Sequence, residues 1–596
     1  MWHDDRTPPN NLTYIYSAEV IPAIRMPMPD DEWEEVAQTV PSVDEPFIQK
    51  YLSGRDALIA QEKKQRSDYA FRQSLSPIAR DACAIVSRIR EEEREKIWTP
   101  QLDAAVACES ETTAYAGMMF GLAKETMEKT RLWKIIREMP KGALLHAHMD
   151  AMVDFDFLID EVMRTPGMCM FCETDLTTPE KAENGMLRFC FKSTPPKETD
   201  IWKADYKSND LVLVTRAAEL HPGGREGFVK YLKGRFTISR EESLQHHHGV
   251  DHVWRRFQSI FGMLAGLTSY EPVFRAFLQR MMHLLNSDGV KWVDLRLAFA
   301  FQFHREGKDA PEKGYVGMFK VLGEEVEKFK ASEEGKGFWG LRMIWTGIRR
   351  MDLRWIIEDM DNCIEVKLAY PHLICGYDLV GQEDMGRPLK DILPELFWFR
   401  KQCAEEGVNI PFFFHAGETL GDGSDTDQNI FDAILLGTRR IGHGFSLYKH
   451  PLLIDMVKEK KILVESCPIS NEVLRLCTSI ISHPLPALLA RGVSCSLCND
   501  DPAILGQDTA GSTHDFWQAL QGWDNLGLAG LGSLAENSVR YAAFEDQTNA
   551  EWLEGIKQGT LGQGVRGERM REWALEWEKF CLWIVTEFGD DAAGKA

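Results

Sequence analysis

Histidines are scarce in this chain, 16 in 596 residues, yet several stand where short apolar runs end. His146 and His148 lie two apart in GALLHAH (142–148). A strand's period of two turns both side chains to one face, which is how one strand supplies a pair of metal ligands. His415 and Glu418 follow in His-Ala-Gly-Glu, His443 sits in Ile-Gly-His-Gly, and Asp500 and Asp501 stand together in Cys-Asn-Asp-Asp-Pro. Taken singly, each has an ordinary reading as a buried, hydrogen-bonded histidine or an Asp capping a helix. As a set they describe a metal centre. Three of the four imidazoles with one carboxylate suit one Zn2+ per chain and leave a position for water. Zinc lowers the pKa of that water from about 16 toward 7. Two acidic groups and one histidine are then surplus to the ligands, as a hydrolysis requires: groups to orient hydroxide, to deliver a proton and to hold the substrate.

The elements that must position these residues are legible from texture. Short apolar runs at 142–148, 290–299, 341–347, 373–381, 410–417, 439–445, 461–468 and 492–500 end in polar or Gly-containing turns, and from the second onward helical segments separate them. Such strand–helix units imply an α/β fold, a (β/α)8 TIM barrel of the metallo-dependent hydrolase type, in which chemistry sits at the carboxyl ends of the strands. The residues singled out above lie at such ends. Residues 1–45, rich in Pro and acid, read as a flexible arm. Residues 46–138 read as a helical segment, with SLSPIARD as a helix start, and 139–585 as the barrel. The interval 149–288 is too long for one helix, so about 165–250 reads as an insertion after the first strand, over the barrel mouth. Residues 512–585 read as closing helices.

The segments MPKGALLHAHMDA, FFFHAGET, RRIGHGF, ESCPISN and SLCNDDP, in that order, resemble the signature segments of the adenosine deaminase family of metal-dependent amidohydrolase barrels. The helical segment before the barrel and the insertion after its first strand resemble the adenosine deaminase-related growth factor branch. The resemblance covers roughly 100–520. It implies zinc-dependent hydrolytic deamination of adenosine and 2′-deoxyadenosine to inosine-type products and ammonia. It gives His146, His148, His415 and Asp500 as zinc ligands and Glu418 as the acid that protonates purine N1. His443 orients and helps deprotonate the water and stabilises the developing oxyanion, and Asp501 holds the hydroxide and contacts N7. Asp150 contacts the ribose, and the backbone of Gly381 meets N3. Ala151, where the family often has Gly, and Gln382, where an acid often follows Gly381, depart from the pattern on the sugar side. Deamination of AMP or another N6-substituted adenine compound is therefore a second expectation, and a signalling or binding protein that keeps the barrel is an alternative of another class. The complete catalytic set argues against the latter.

Other features carry less. Cys169-x-x-Cys172 with Cys190 lacks a matching second pair for a structural zinc. The resemblance suggests a disulfide in this insertion, whereas the chain's start, without an apolar leader, favours free thiols. Cys495 and Cys498 read as small buried side chains, His246-His247-His248 as an exposed run, Arg349 and Arg350 as structural or surface arginines that could meet a phosphate, and Trp254 and Phe257 as core. A net charge of −22 disfavours nucleic acid and anionic membranes as partners, and no apolar run is long enough to span a bilayer. The expected partner is a small purine nucleoside, the expected location cytoplasmic, and the expected assembly a homodimer through the N-terminal helices.

Overall fold

Runs of Val, Ile, Leu and Phe buried on both faces form parallel strands, and the computed structural model, which describes residues 28–98 and 115–589, closes those strands into a barrel. The chain divides into units of 1–64 and 65–596. In the first, the helix Asp30–Thr39 and the helix that begins at Pro46 bury no side chain, and Trp33, Phe47 and Tyr51 are exposed. Residues 1–27 of the expected arm and 99–114 of the expected helical segment lie outside the described residues.

The second unit opens with helices. Pro77–Lys96 starts as its sequence predicts: Ser76 Oγ accepts from the Ala79 N–H, and Pro77 fills the first turn, where a missing donor costs nothing. Ala79, Ala82, Val86 and Ile89, three or four apart, are buried and pack on the last helix, Val565–Phe588. Strand β1 (Gly142–Leu144) follows. The interval that the sequence marks as too long then builds β2 (Met168–Phe171), β3 (Arg188–Phe191) and β4 (Val212–Leu213), an antiparallel sheet ordered β3-β2-β4 in which Cys169 faces Cys190. Both cysteines are free thiols. Helices Val250–Leu264 and Glu271–Ser287 lead back to the barrel.

The remaining strands are β5 (Val290–Ala298), β6 (Gly340–Ile348), β7 (Ile374–Val380), β8 (His415–Ala416), β9 (Arg440–His443), β10 (Leu463–Ser466) and β11 (Cys495–Leu497). They pair in parallel as β1-β5-β6-β7 and β11-β10-β9-β8. Two bridges join the halves: Tyr377 to Phe412 beside β8, and Ala147 to Asp500 between the ends of β1 and β11. Every expected strand therefore has its place, and the (β/α)8 barrel is closed. Its interior carries charge as well as hydrocarbon: Asp294, Arg296, Asp378, Arg440 and Glu465 are all fully buried. Arg296 bonds Asp378 and Glu465, each at 2.8 Å, and Arg440 bonds Asp294 at 2.7 Å and also Glu465. Among the described residues no helix is long and apolar enough to cross a membrane.

One buried acid lies outside this ion-pair network. Glu472 accepts from the Phe120 N–H, and burial pushes its carboxyl up from 4.5 to about 8. A carboxyl whose pKa is raised by folding binds more protons folded than unfolded between those two values. Its contribution is therefore complete below the unfolded pKa and is lost as pH rises through the window, by up to about 1.4 kcal/mol per pH unit. We expect Glu472→Gln to flatten the fall in stability across that window relative to the parent, read as urea midpoints against pH. Parallel curves for parent and variant would contradict it.

Candidate active site

Barrel closure assembles the centre. The His148 N–H donates to the Asp500 carbonyl at 2.9 Å and the Asp500 N–H to the His146 carbonyl at 3.2 Å, so the last strand's carboxylate is delivered beside the first strand's histidine pair. His443 and Asp500 hold left-handed backbones, φ 61° and 57°, a strained conformation for residues with a Cβ that surrounding structure must enforce. Gly442 is required for a different reason: a Cβ there would lie 2.9 Å from the His146 ring.

Asp500 Oδ1 lies 3.2 Å from His146 Nε2 and 3.3 Å from His148 Nε2. The ring of His146 is 4.5 Å from that of His415 and 4.7 Å from that of His443. His146, His415, His443 and Asp500 offer ligand atoms within 4.8 Å of one another, and His148, Asp500 and Asp501 form a second such group. The expected ligands thus fall into two overlapping groups that share Asp500. The surrounding bonds distinguish histidines built to ligate. His146 Nδ1 is held by Glu465 at 2.8 Å and His415 Nδ1 by Asp378 at 2.6 Å, which turns each Nε2 inward, the carboxylate–histidine arrangement that metal ligands use. His146 Nε2 is buried without a hydrogen-bond partner, as a group meant for a cation would be. His443 Nδ1 instead meets the neutral amide of Asn471, at 3.1 Å.

Proton states diverge within a few ångströms. Burial would raise Asp500, but His443, His146 and His148 hold it well below the ordinary carboxylate range. Burial raises Asp378 and Glu465 too, yet the charges of His415 and Arg296 keep the first ionised, and those of Arg296 and Arg440 the second. Glu418 is the opposite case. Burial, then the charges of Asp500 and Glu383, push its carboxyl well above the usual range, and its Oε1 has no hydrogen-bond partner. Asp501 is raised likewise by burial and by Asp500, and burial lifts Asp150 to about 7. Burial drives His443 well below 6.5. The site therefore drives its carboxyl groups in opposite directions, Asp500 beside the histidines toward the ionised form and Glu418 toward the neutral acid, a divergence that acid–base catalysis uses.

These groups line one cavity of about 580 Å3, a size suited to a drug-sized or nucleoside-sized ligand. His148, Asp150, Gly381, His415, Glu418, His443, Asp500 and Asp501 all reach it. Its walls include Trp254, Phe257 and Phe261 of the helix Val250–Leu264 and Met186 of the insertion. Trp254 and Phe257 are thus buried, as expected, and face the cavity as well. The adjacent arginines part company. Arg349 is fully buried, donating to the carbonyls of Leu379 at 2.9 Å and His415 at 3.0 Å, whereas Arg350 lines the cavity. His246–His248 form a short turn outside both metal-competent groups, and Cys495 and Cys498 are buried thiols.

Sequence reasoning missed the residues that hold the site. Glu383 accepts the Gly417 N–H at 3.2 Å and the Glu418 N–H at 2.8 Å and so fixes the loop that carries the acid. Ser470 donates to Asp500 at 2.7 Å. Asp378, Glu465 and Arg296 had a signal, charge inside an apolar strand, that went unused. Gln382 donates to Asp251 at 2.6 Å, fastening the helix that forms the cavity wall to the end of β7.

Comparison with known proteins bears on this geometry. The profile of the family described as adenosine deaminase matches residues 238–559. The chain is 34% identical over 429 residues to adenosine deaminase 2 of Sus scrofa, covering 72% of this chain and 79% of that protein. It is 31% identical over 477 residues to adenosine deaminase 2-A of Danio rerio, covering 78% and 88%. The solved structure of an adenine deaminase from Arthrobacter aurescens is 18% identical, spans 71% of this chain and 100% of its own, and superposes with a TM-score of 0.45.

Proposed function

The chain belongs to the adenosine deaminase family, hydrolases of C–N bonds in cyclic amidines, and from that premise we propose that it converts adenosine and 2′-deoxyadenosine, with water, to the inosine nucleosides and ammonia. The observation that carries the reading is one nucleoside-sized cavity lined both by the metal-competent residues His148, His415 and Asp500 and by Glu418, whose buried Oε1 has no hydrogen-bond partner. His146, His148, His415 and Asp500 would hold a Zn2+ ion, one per chain, which when bound makes a water nucleophilic at neutral pH. Glu418 gives its proton to purine N1, so C6 becomes electrophilic. Asp501, as a carboxylate, holds the attacking oxygen and takes its proton, and once protonated it donates to N7. His443 stabilises the charge that develops on that oxygen. As the C6–N6 bond breaks, the proton taken from the attacking oxygen passes to N6, and the nitrogen leaves as ammonia. Asp150 meets the ribose hydroxyls, the Gly381 N–H meets N3, and the wall of Trp254, Phe257 and Phe261 covers the base.

The test is a panel of adenosine, 2′-deoxyadenosine, AMP and N6-methyladenosine with purified protein, followed by ultraviolet spectra. Loss of the adenine spectrum with the first two supports the reading. Retention with all four overturns it and returns the binding-protein alternative. One observation favours AMP as a second substrate: Arg188, Arg255 and Arg350 line the cavity and make no ion pair among the described residues, in a chain of net charge −22. The cytoplasmic location and the homodimer through the N-terminal helices belong to the same reading and are checked by fractionation and sizing.

The Gln382–Asp251 bond gives a further prediction. Gln382→Glu sets two carboxylates against each other and loosens the helix that walls the cavity. We expect KM for adenosine to rise several-fold with kcat little changed. An unchanged KM would detach this bond from substrate binding.

A further inference from the structure

Which nitrogen of His443 carries the proton is settled by a chain of hydrogen bonds that begins at a backbone amide. The Leu485 N–H points at His483 Nδ1, 3.1 Å away. A backbone N–H can only donate, so Nδ1 accepts, and the single proton of His483 sits on Nε2. His483 Nε2 lies 3.0 Å from Asn471 Oδ1, so it donates to that oxygen. The amide cannot be turned around, because its NH2 would then face an N–H. Asn471 Nδ2 is therefore the atom that faces His443 Nδ1, at 3.1 Å, and an NH2 group only donates. Asn471 and His483 are both buried.

We propose that Asn471 and His483 are positioning residues that lock neutral His443 in the tautomer whose proton is on Nε2, the nitrogen that faces Asp500 at 3.8 Å. His443 then presents a fixed N–H donor to the oxygen that attacks C6 and to the charge that grows on it. Proton removal from that oxygen falls to Asp501. The lock also protects Glu418. Its Oε1 is 3.4 Å from His443 Nδ1, but with that lone pair engaged by Asn471, the carboxyl proton remains available for purine N1. A non-titrating amide suits this task better than a carboxylate, which would draw a proton onto Nδ1 and charge the ring. The role in turnover rests on the proposed deaminase reading; the tautomer itself does not.

The experiment uses the full-length, metal-loaded protein with 15N-labelled histidine. The His443 resonances are identified by their absence in His443→Gln. The expected spectrum shows a protonated Nε2 and an unprotonated Nδ1 for His443 without substrate. In Asn471→Asp, a nearly isosteric change that can only accept, Nδ1 becomes protonated and kcat for adenosine falls about a hundredfold, the loss typical of one misplaced donor, with KM within about threefold. His483→Gln keeps a donor for Asn471 and retains most of kcat, while His483→Leu does not. A parent spectrum with the proton on Nδ1 overturns the proposal whether or not any variant folds. So does an Asn471→Asp protein with parental spectrum and kcat. Failure of the deaminase reading would instead leave the spectra as expected with no turnover in any form.

Discussion

Glu418→Gln keeps its metal and loses about a thousandfold in kcat, within the range general acid catalysis contributes. The side chain is 4% exposed and its backbone N–H is tied to Glu383, so an amide of the same shape occupies the same place. That amide can donate a hydrogen bond to purine N1 but cannot release a proton to it. Binding therefore survives better than turnover, and KM changes far less than kcat. The pH profile gives an independent readout. Because burial raises the Glu418 pKa, the parent loses activity on the alkaline side as this acid ionises. Glu418→Gln has nothing to ionise there, and its residual activity lacks that limb. Steady-state kinetics against pH with elemental analysis of the same preparation measures all of this. Activity within tenfold of the parent would remove Glu418 from its role.

Elemental analysis of the parent returns about one zinc per chain, and His415→Ala returns almost none, with turnover lost to the detection limit. The substitution is a fair test of ligation because the frame behind it persists. Asp378 keeps Arg296 at 2.8 Å and the backbone N–H of residue 415 at 2.8 Å, so no buried charge is stranded. Asp378→Asn is the contrasting change. It deprives Arg296 of a partner in a fully buried position, and breaking such a pair costs about 3–5 kcal/mol. The first variant should unfold near the temperature of the metal-stripped parent, and the second well below it. A chelator should lower the parent's midpoint as well, since an ion bound only by the folded state stabilises it. Zinc retained in His415→Ala, or full activity in metal-free protein, would contradict the ligand set.

The barrel strands and the centre's first residues were legible because their signals are local. A period of two, an apolar run and a polar end need only a few neighbouring residues. The supports were not, because their partners are remote. Asp378 meets a histidine 37 residues on, and Arg296 meets Glu465 across 169 residues. A charge within an apolar strand announces that a partner exists without saying which. Arg349 and Arg350 show the limit of reading a pair: in the turn that follows β6 one is buried in the barrel wall and the next reaches the cavity, and the sequence offers no signal for that choice. The insertion's sheet escaped notice because its strands, 4, 4 and 2 residues long, pair in antiparallel outside the strand–helix alternation that marks the barrel.

The charges inside the barrel have a consequence for how this chain can diverge. His146 and His415 are oriented by Glu465 and Asp378, and those carboxylates are also the partners of Arg296 and Arg440. A mutation there disturbs catalysis and folding together, so selection sees it twice. Met186, Trp254 and Phe257 face the same cavity from segments that contribute nothing to that network. Substrate preference can drift through such positions while the reaction stays put. Lineages of this chain should therefore differ in which purine compound they accept long before they differ in what they do to it.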